Sequence, residues 1–176
     1  PLLIGLCIWF IFPMKINAQG LDVKFEQLSV RDGLSQATAY AIYEDHLGFV
    51  WMGTDDGLNR YDGYEFMVFR NSPLNPNSIS NNSINSIQED TFGNLWVGTD
   101  QGLNLMDGNM AEFKIHRFDF HEPSSLSSNT VWCMELDAEG DLWVGTANGL
   151  NRYDYADSTF TRYKQELNDK GSLSNN

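Results

Sequence analysis

The sequence predicts an all-β chain made of three copies of one four-stranded unit, followed by the start of a fourth copy. Three observations support this prediction: a recurring tryptophan motif, a second motif with the same spacing, and turn residues at matching places. The tryptophan motif reads Trp-x-Gly-Thr in every copy, and Trp51, Trp96 and Trp143 lie 45 and then 47 residues apart. Repeats of roughly 20–50 residues are typical of solenoids and propellers.

The second motif is a Leu-Ser or Ile-Ser pair that opens each copy. It occurs at Leu34-Ser35, Ile79-Ser80, Leu126-Ser127 and Leu173-Ser174. The copies therefore span residues 34–78, 79–125 and 126–172, and residues 173–176 begin the fourth.

Each copy is predicted to form four short antiparallel strands. An Asp-x-x-Gly turn follows the first strand, and its glycine supplies the positive φ of a tight hairpin. The second strand carries the tryptophan, and the next turn ends in Gly57, Gly102 or Gly149. The strands predicted in the first copy are 38–44, 49–54, 58–61 and 64–69. Such a unit is typical of a β-propeller blade, whereas a β-sandwich of hairpins, the alternative, leaves the identical Trp-x-Gly-Thr segments unexplained.

Two small-residue positions also fit blades that pack face to face. A glycine before the threonine of the motif is expected to allow close approach of the adjacent sheet; these glycines are Gly53, Gly98 and Gly145. Ala41, Ser86 and Cys133 share one position in the first strand. Cys133 is therefore expected to be a buried filler and not a nucleophile.

The N-terminal residues differ from the repeats. Residues 2–12 form an apolar run that is too short to span a bilayer, which takes about 20 residues, but that resembles the hydrophobic region of a secretory signal. We predict a signal peptide over residues 1–18, truncated at its start; a buried core helix or an uncleaved anchor is the alternative. Residues 19–33 are read as a lead-in, in which 24–28 would supply the outer strand that closes the ring.

Composition and motifs argue against several function classes. The chain has 24 acidic and 11 basic residues, a net charge of −13, which would repel nucleic acid and anionic membranes. The histidines His46, His116 and His121 are unaligned and lack the spacing of metal ligands. No nucleophile is paired with a base, and the repeated aspartates fit turn chemistry. We therefore expect no catalytic residue, metal or cofactor in these 176 residues.

Residues that depart from the repeat are the candidate ligand-binding positions. Tyr40 and Trp132 stand where the second copy has Asn85, and an exposed aromatic ring there could stack on the face of a sugar. Arg60 and Arg152 stand where the second copy has Leu105. The alternatives are ordinary packing near the propeller axis for the aromatic residues, and pairing with nearby acids for the arginines.

The repeat resembles that of the two-component regulator propeller family. The shared pattern is Glu-Asp-x-x-Gly-x-Leu-Trp-x-Gly-Thr-x-x-Gly-Leu-Asn-x-x-Asp, after a Ser-Leu-Ser-x-Asn opener. The first copy carries it at Glu44-Asp45, Gly48, Trp51, Gly53-Thr54 and 57–62. The second copy departs from it at Leu105-Met106 and the third at Leu136. The resemblance covers residues 24–176.

This resemblance implies the periplasmic, ligand-sensing part of a hybrid histidine-kinase sensor that responds to an oligosaccharide. Such propellers are commonly seven-bladed, and the parent protein would be a membrane-anchored homodimer with histidine kinase activity that this part lacks. The alternatives are a secreted propeller enzyme, such as a polysaccharide lyase, or a protein-interaction scaffold. Because propellers close at about four to eight blades, the chain is expected to be part of a longer reading frame whose remaining blades pack against these three.

Overall fold

The computed structural model describes residues 25–107 and 112–176, and the predicted signal peptide lies outside these ranges. A short 3-10 turn, Val30–Asp32, precedes the first sheet. Within the described ranges the first sheet contains β1 (Ala41–Glu44), β2 (Val50–Thr54), β3 (Gly57–Tyr61) and β4 (Phe66–Phe69). The second contains β5 (Ile84–Glu89), β6 (Leu95–Thr99), β7 (Gly102–Asp107) and β8 (Glu112–His116). The third contains β9 (Val131–Leu136), β10 (Leu142–Thr146), β11 (Gly149–Asp154) and β12 (Thr159–Tyr163).

Each sheet is an antiparallel meander in which the strands pair in chain order. The first strand of each sheet contacts the first strand of the next: β1 contacts β5, and β5 contacts β9. These three strands therefore form the inner edge. The all-β, partial-propeller architecture predicted from the repeat is therefore confirmed. No helix in the described part of the chain is long and apolar enough to cross a membrane.

One aspartate in each sheet holds both a turn and the repeat tryptophan. In the first sheet, Asp45 Oδ1 accepts hydrogen bonds from the backbone N–H groups of Leu47 and Phe49, both at 3.0 Å. Its Oδ2 accepts the indole N–H of Trp51 at 2.7 Å. Trp96 and Trp143 make the same bond to Asp90 and Asp137, at 2.8 and 2.7 Å. The turn role was predicted, but the bond to the tryptophan was not.

A buried polar network explains the serine of the opener. In the second sheet, the Ser80 N–H donates to Asn104 Oδ1 at 2.8 Å, and Asn104 Nδ2 donates to Ser80 Oγ at 2.9 Å. The Ser80 hydroxyl also pairs with Thr99 Oγ1 at 2.8 Å. The first and third sheets repeat these bonds. The network ties the opener of each copy to its second and third strands, and it satisfies side chains whose burial would otherwise be costly.

Adjacent sheets approach closely at the motif glycines. A Cβ on Gly53 would lie 2.6 Å from Ile84 Cγ2, and one on Gly98 would lie 2.6 Å from Val131 Cγ1. Both neighbours belong to the first strand of the next sheet. The apolar core consequently lies between sheets, in one cluster around Trp51 and another around Trp96.

Cys133 is exposed, which corrects the expectation of a buried filler. It pairs with Gly145 in the register predicted by the repeat. Ala41 and Ser86 are half-buried at the equivalent positions, because β5 and β9 pack against their sheets. In the described residues no further sheet covers the Cys133 face of the third one.

The lead-in can be followed from Phe25 onwards. Residues 25–29 form no strand, and Phe25 is 93% exposed. The chain then turns at Gly33, with φ of 111°, and Leu34 is buried. A closing role for 24–28 stays a prediction about the complete ring.

His116 occupies an aromatic cage at the end of β8. Its ring centroid lies 5.4–5.7 Å from those of Trp96, Tyr153 and Phe160. Its Nε2 is buried and has no hydrogen-bond partner among the described residues. Burial, with a smaller contribution from the positive charge of Lys114, lowers the His116 pKa to about 4. The native state therefore holds this ring neutral at mildly acidic pH.

Replacing His116 by phenylalanine, which the first sheet has at the equivalent Phe69, should remove one source of acid sensitivity. An unfolded histidine binds a proton near pH 6.5, whereas His116 binds it near pH 4. Wild-type stability should therefore fall as the pH drops through this window, because the unfolded state takes up the proton first. Urea unfolding at pH 7, 5.5 and 4 should show the variant gaining up to about 3 kcal/mol relative to wild type. Carboxylates titrate in both proteins and cancel, so parallel stability curves would contradict this account.

Candidate functional site

The candidate site lies at the inner rim, which we define as positions 40, 85 and 132 with the turns after the second strands. The inner rim faces the propeller axis, because the first strands of adjacent sheets meet there. Asn85 and Trp132 are the extra residues of two bulges, where the register of β5 on β6 and of β9 on β10 shifts. A bulge re-aims a side chain and is often found beside binding sites.

Tyr40 links the first and second sheets through an aspartate. Its hydroxyl donates to Asp55 Oδ2 at 2.9 Å, while the other oxygen of Asp55 accepts the Ser83 hydroxyl at 3.1 Å. The hydrogen bond to the Asp55 carboxylate raises the pKa of Tyr40 above its usual value. Tyr40 is 58% exposed.

Asn85 makes the equivalent link between the second and third sheets. Its Nδ2 donates to Asp100 Oδ1 at 2.9 Å and to the Val131 carbonyl at 3.0 Å. No N–H or O–H of the described residues donates to its Oδ1. With respect to these residues, the oxygen is available to accept a hydrogen bond from a ligand.

Trp132 follows directly after Val131 and is 56% exposed. The position that holds Asp55 and Asp100 in the other copies is Ala147 here, so the rim beside Trp132 is lined by a methyl group in place of a carboxylate. The indole N–H donates to no acceptor in the described part of the chain. The inner rim as a whole combines exposed aromatic rings with an amide and carboxylates, and such a surface fits a sugar, which has an apolar face and hydroxyls at its edge.

The two candidate arginines lie at the other end of the sheets. Arg60 is the cross-strand partner of Trp51, which is in turn the cross-strand partner of Tyr43. This position is close to the turn that follows β1. Arg152 is the equivalent partner of Trp143, and its Nη1 lies 3.4 Å from Asp141 Oδ2. The structure thus brings Tyr40 and Trp132 to one rim and separates both from the arginines.

The sequence did not indicate three members of the rim: Asp55, Asp100 and the amide of Asn85. The aligned repeat did contain one signal: the third copy, which has Trp132, has Ala147 where the other two copies have Asp55 and Asp100. No cluster of three or more metal-ligating side chains occurs in the ranges that the structure describes.

Comparison with known sequences finds the same three units. Residues 33–56, 78–101 and 125–148 match the family described as two component regulator propeller. Each match begins near the opener and ends just after the Trp-x-Gly-Thr strand. Histidine kinase P4 of Formosa agariphila is 40% identical over 67 residues, which are 38% of this chain and 5% of that kinase.

Solved structures share the fold. The extracellular domain of BT3049 from Bacteroides thetaiotaomicron, which is assigned to a hybrid two component system, superposes with a TM-score of 0.74 and 29% identity. The match covers 79% of this chain and 20% of that one. PorZ, a surface component of the type-IX secretion system of Porphyromonas gingivalis, has a TM-score of 0.51 and 25% identity, over 72% of this chain and 17% of that one.

An enzyme also has this fold. Virginiamycin B lyase from Staphylococcus aureus superposes with a TM-score of 0.61 at 15% identity, over 86% of this chain and 48% of the lyase. At that identity the likeness concerns the fold alone. The chain spans a twentieth of the matched kinase and a fifth of the BT3049 domain.

Proposed function

This chain belongs to the two component regulator propeller family, and on that premise we propose that it is part of the periplasmic ligand-sensing region of a histidine-kinase sensor. The observation that supports this most is the 29% identity, over 79% of the chain, to the extracellular domain assigned to a hybrid two component system. The 40% identity to a histidine kinase over 67 residues supports the same role.

The proposed signal is an oligosaccharide bound at the inner rim. The exposed rings of Tyr40 and Trp132 would stack on sugar faces. The free Oδ1 of Asn85 would accept a hydrogen bond from a sugar hydroxyl, and the rim carboxylates would accept others. Two observations support this proposal. Exposed aromatic side chains and planar polar groups lie at one rim, and the Asn85 of the second copy indicates that blade packing does not require an aromatic residue at this position.

Binding at this rim would act on the joints between blades. The Tyr40–Asp55–Ser83 bonds join the first sheet to the second, and the Asn85–Val131 bond joins the second to the third. A ligand that lies across these links favours one relative arrangement of the blades over others. In the parent protein, a membrane-anchored dimer under this proposal, that bias would reach the kinase.

Replacing Trp132 by alanine should abolish most oligosaccharide binding while leaving the fold intact. Loss of a stacking surface should weaken binding about tenfold or more. The free energy of unfolding should change by less than about 1 kcal/mol, because the side chain is exposed on a bulge. Isothermal titration with a panel of neutral tetra- to hexasaccharides, alongside urea unfolding, measures both effects.

Phe120→Ala is the matched control, since Phe120 is an aromatic residue that is 82% exposed, in the loop between β8 and β9. It should bind like wild type. Equal affinity of wild type and Trp132→Ala, or equal loss in the control, would refute the rim site. Unfolding of Trp132→Ala would instead identify Trp132 as a core residue.

A further inference from the structure

A cleft opens between the first and second sheets, at the end of the sheets opposite the inner rim. Its volume is about 520 Å³, counting the space that is open to solvent. Phe49 and Arg60 form its wall on the first sheet, and Leu95 and Met106 form its wall on the second. Asp45 and Glu89 lie at its edges. Neither Tyr40 nor Trp132 lines the cleft, so it is a separate surface.

Arg60 is a half-buried guanidinium without an acceptor in the described residues. It is held by ring faces, with its Cζ 4.6 Å from the centroid of Phe49 and 5.9 Å from that of Trp51. Two other arginines do have acceptors: Arg70 pairs with Asp56 at 2.9 Å, and Arg162 donates to the Ser125 carbonyl at 2.7 Å. Stacking fixes the plane of the Arg60 guanidinium and leaves its N–H groups available.

Both carboxylates of the cleft already accept hydrogen bonds from the chain. Asp45 accepts two backbone N–H groups and the indole of Trp51. Glu89 accepts the His46 N–H at 2.9 Å and also pairs with His46 Nδ1. Neither carboxylate pairs with Arg60. Within the described residues, the N–H groups of the Arg60 guanidinium therefore remain without an acceptor in the cleft.

Blade packing does not require an arginine at this position. Between the second and third sheets the equivalent residue is Leu105, which packs against the core beside Trp96. The opposite wall of the Arg60 cleft is lined by the apolar residues Leu95 and Met106, which belong to the core between the first two sheets. The cleft therefore offers a bidentate donor on one side and an apolar surface on the other.

We propose that this cleft binds a small organic acid with an apolar body. Its carboxylate pairs with the guanidinium of Arg60 in the bidentate geometry that arginine and carboxylate favour. Its apolar part lies against Leu95 and Met106. The proposal does not depend on oligosaccharide binding at the inner rim.

Isothermal titration of the full 176-residue chain with phenylacetate tests the proposal, with 2-phenylethanol as the neutral analogue. Wild type should bind phenylacetate about tenfold or more tightly than 2-phenylethanol. Arg60→Leu, which places the residue of the second copy in the first, should reduce the affinity for phenylacetate to that for the alcohol. Arg60→Lys keeps the charge without the bidentate fork and should lie between the two.

Arg152→Leu is the matched control, since it removes the equivalent arginine of the third sheet and should leave phenylacetate binding unchanged. Equal affinities of wild type for the acid and the alcohol would overturn the proposal. So would an Arg60→Leu variant that binds phenylacetate like wild type, or a wild-type chain that does not bind it at millimolar concentration. These outcomes are independent of the Trp132→Ala result, so the two sites can fail separately.

Discussion

Replacing Trp96 by alanine is expected to lower the free energy of unfolding by about 3–5 kcal/mol, the range seen for large buried aromatic side chains. Trp96 is fully buried between the second and third sheets, and its ring centroid lies 4.8 Å from that of Tyr153. The substitution leaves a cavity and removes the indole donor to Asp90. Because the amide of Asn94 also donates to the same Asp90 oxygen at 3.0 Å, the cavity accounts for most of the loss.

Trp143→Ala in the third sheet is the matched comparison. Trp143 makes the same bond to its aspartate, but it is only half-buried, so its loss should cost roughly half as much or less. Thermal unfolding followed by circular dichroism should show a drop of roughly 6–20 °C for Trp96→Ala and a clearly smaller drop for Trp143→Ala. Equal drops would mean that contacts between the sheets contribute little to stability.

The architecture could be predicted because the same strand and turn residues recur at the same positions in each copy. Three copies of Trp-x-Gly-Thr, with turn glycines at fixed offsets, define strands and their order to within a few residues. The sequence could not distinguish the three tryptophans, however, because their exposure depends on whether another sheet covers them. Cys133 shows the same limit: its position in the strand was right, but its expected burial was wrong.

The candidate site could be predicted only in part. Tyr40 and Trp132 were identified because they differ from the residue at the same position in the second copy. The same criterion also identified Arg60 and Arg152. It could not show that the aromatic residues and the arginines lie at opposite ends of the sheets. The bulges that re-aim Asn85 and Trp132 depend on strand register, which single residues do not reveal. The carboxylate acceptors of Tyr40 and Asn85 are each 15 residues away in sequence. Only the folded structure shows that the two side chains of each pair are bonded to each other.

Gly98→Ala is expected to destabilise the chain by about 1–3 kcal/mol, the usual cost of overpacking. The new Cβ would lie 2.4 Å from Ser86 Oγ and 2.6 Å from Val131 Cγ1. The φ of Gly98 is not positive, so the cost arises from lack of space and not from backbone strain. At Gly145 the corresponding Cβ would meet only Cys133, within its own sheet, with the thiol at 2.6 Å and the carbonyl oxygen at 3.8 Å. That thiol is exposed and can rotate away, and alanine also restricts the unfolded chain, so Gly145→Ala should cost less than about 1 kcal/mol.

Urea unfolding of both variants, each alone and combined with Val131→Ala, separates a clash with the neighbouring sheet from a clash within the same sheet. Shortening Val131 removes the Cγ1 atom that opposes the new methyl group, so Gly98→Ala should cost less in that background, whereas the cost of Gly145→Ala should not change. Equal costs of Gly98→Ala with and without the Val131 side chain would show that the cost arises within the second sheet, at Ser86. A cost that depends on Val131 instead means that the glycine of Trp-x-Gly-Thr is required by the neighbouring blade. In that case the motif encodes contact between blades as well as the strand that carries it.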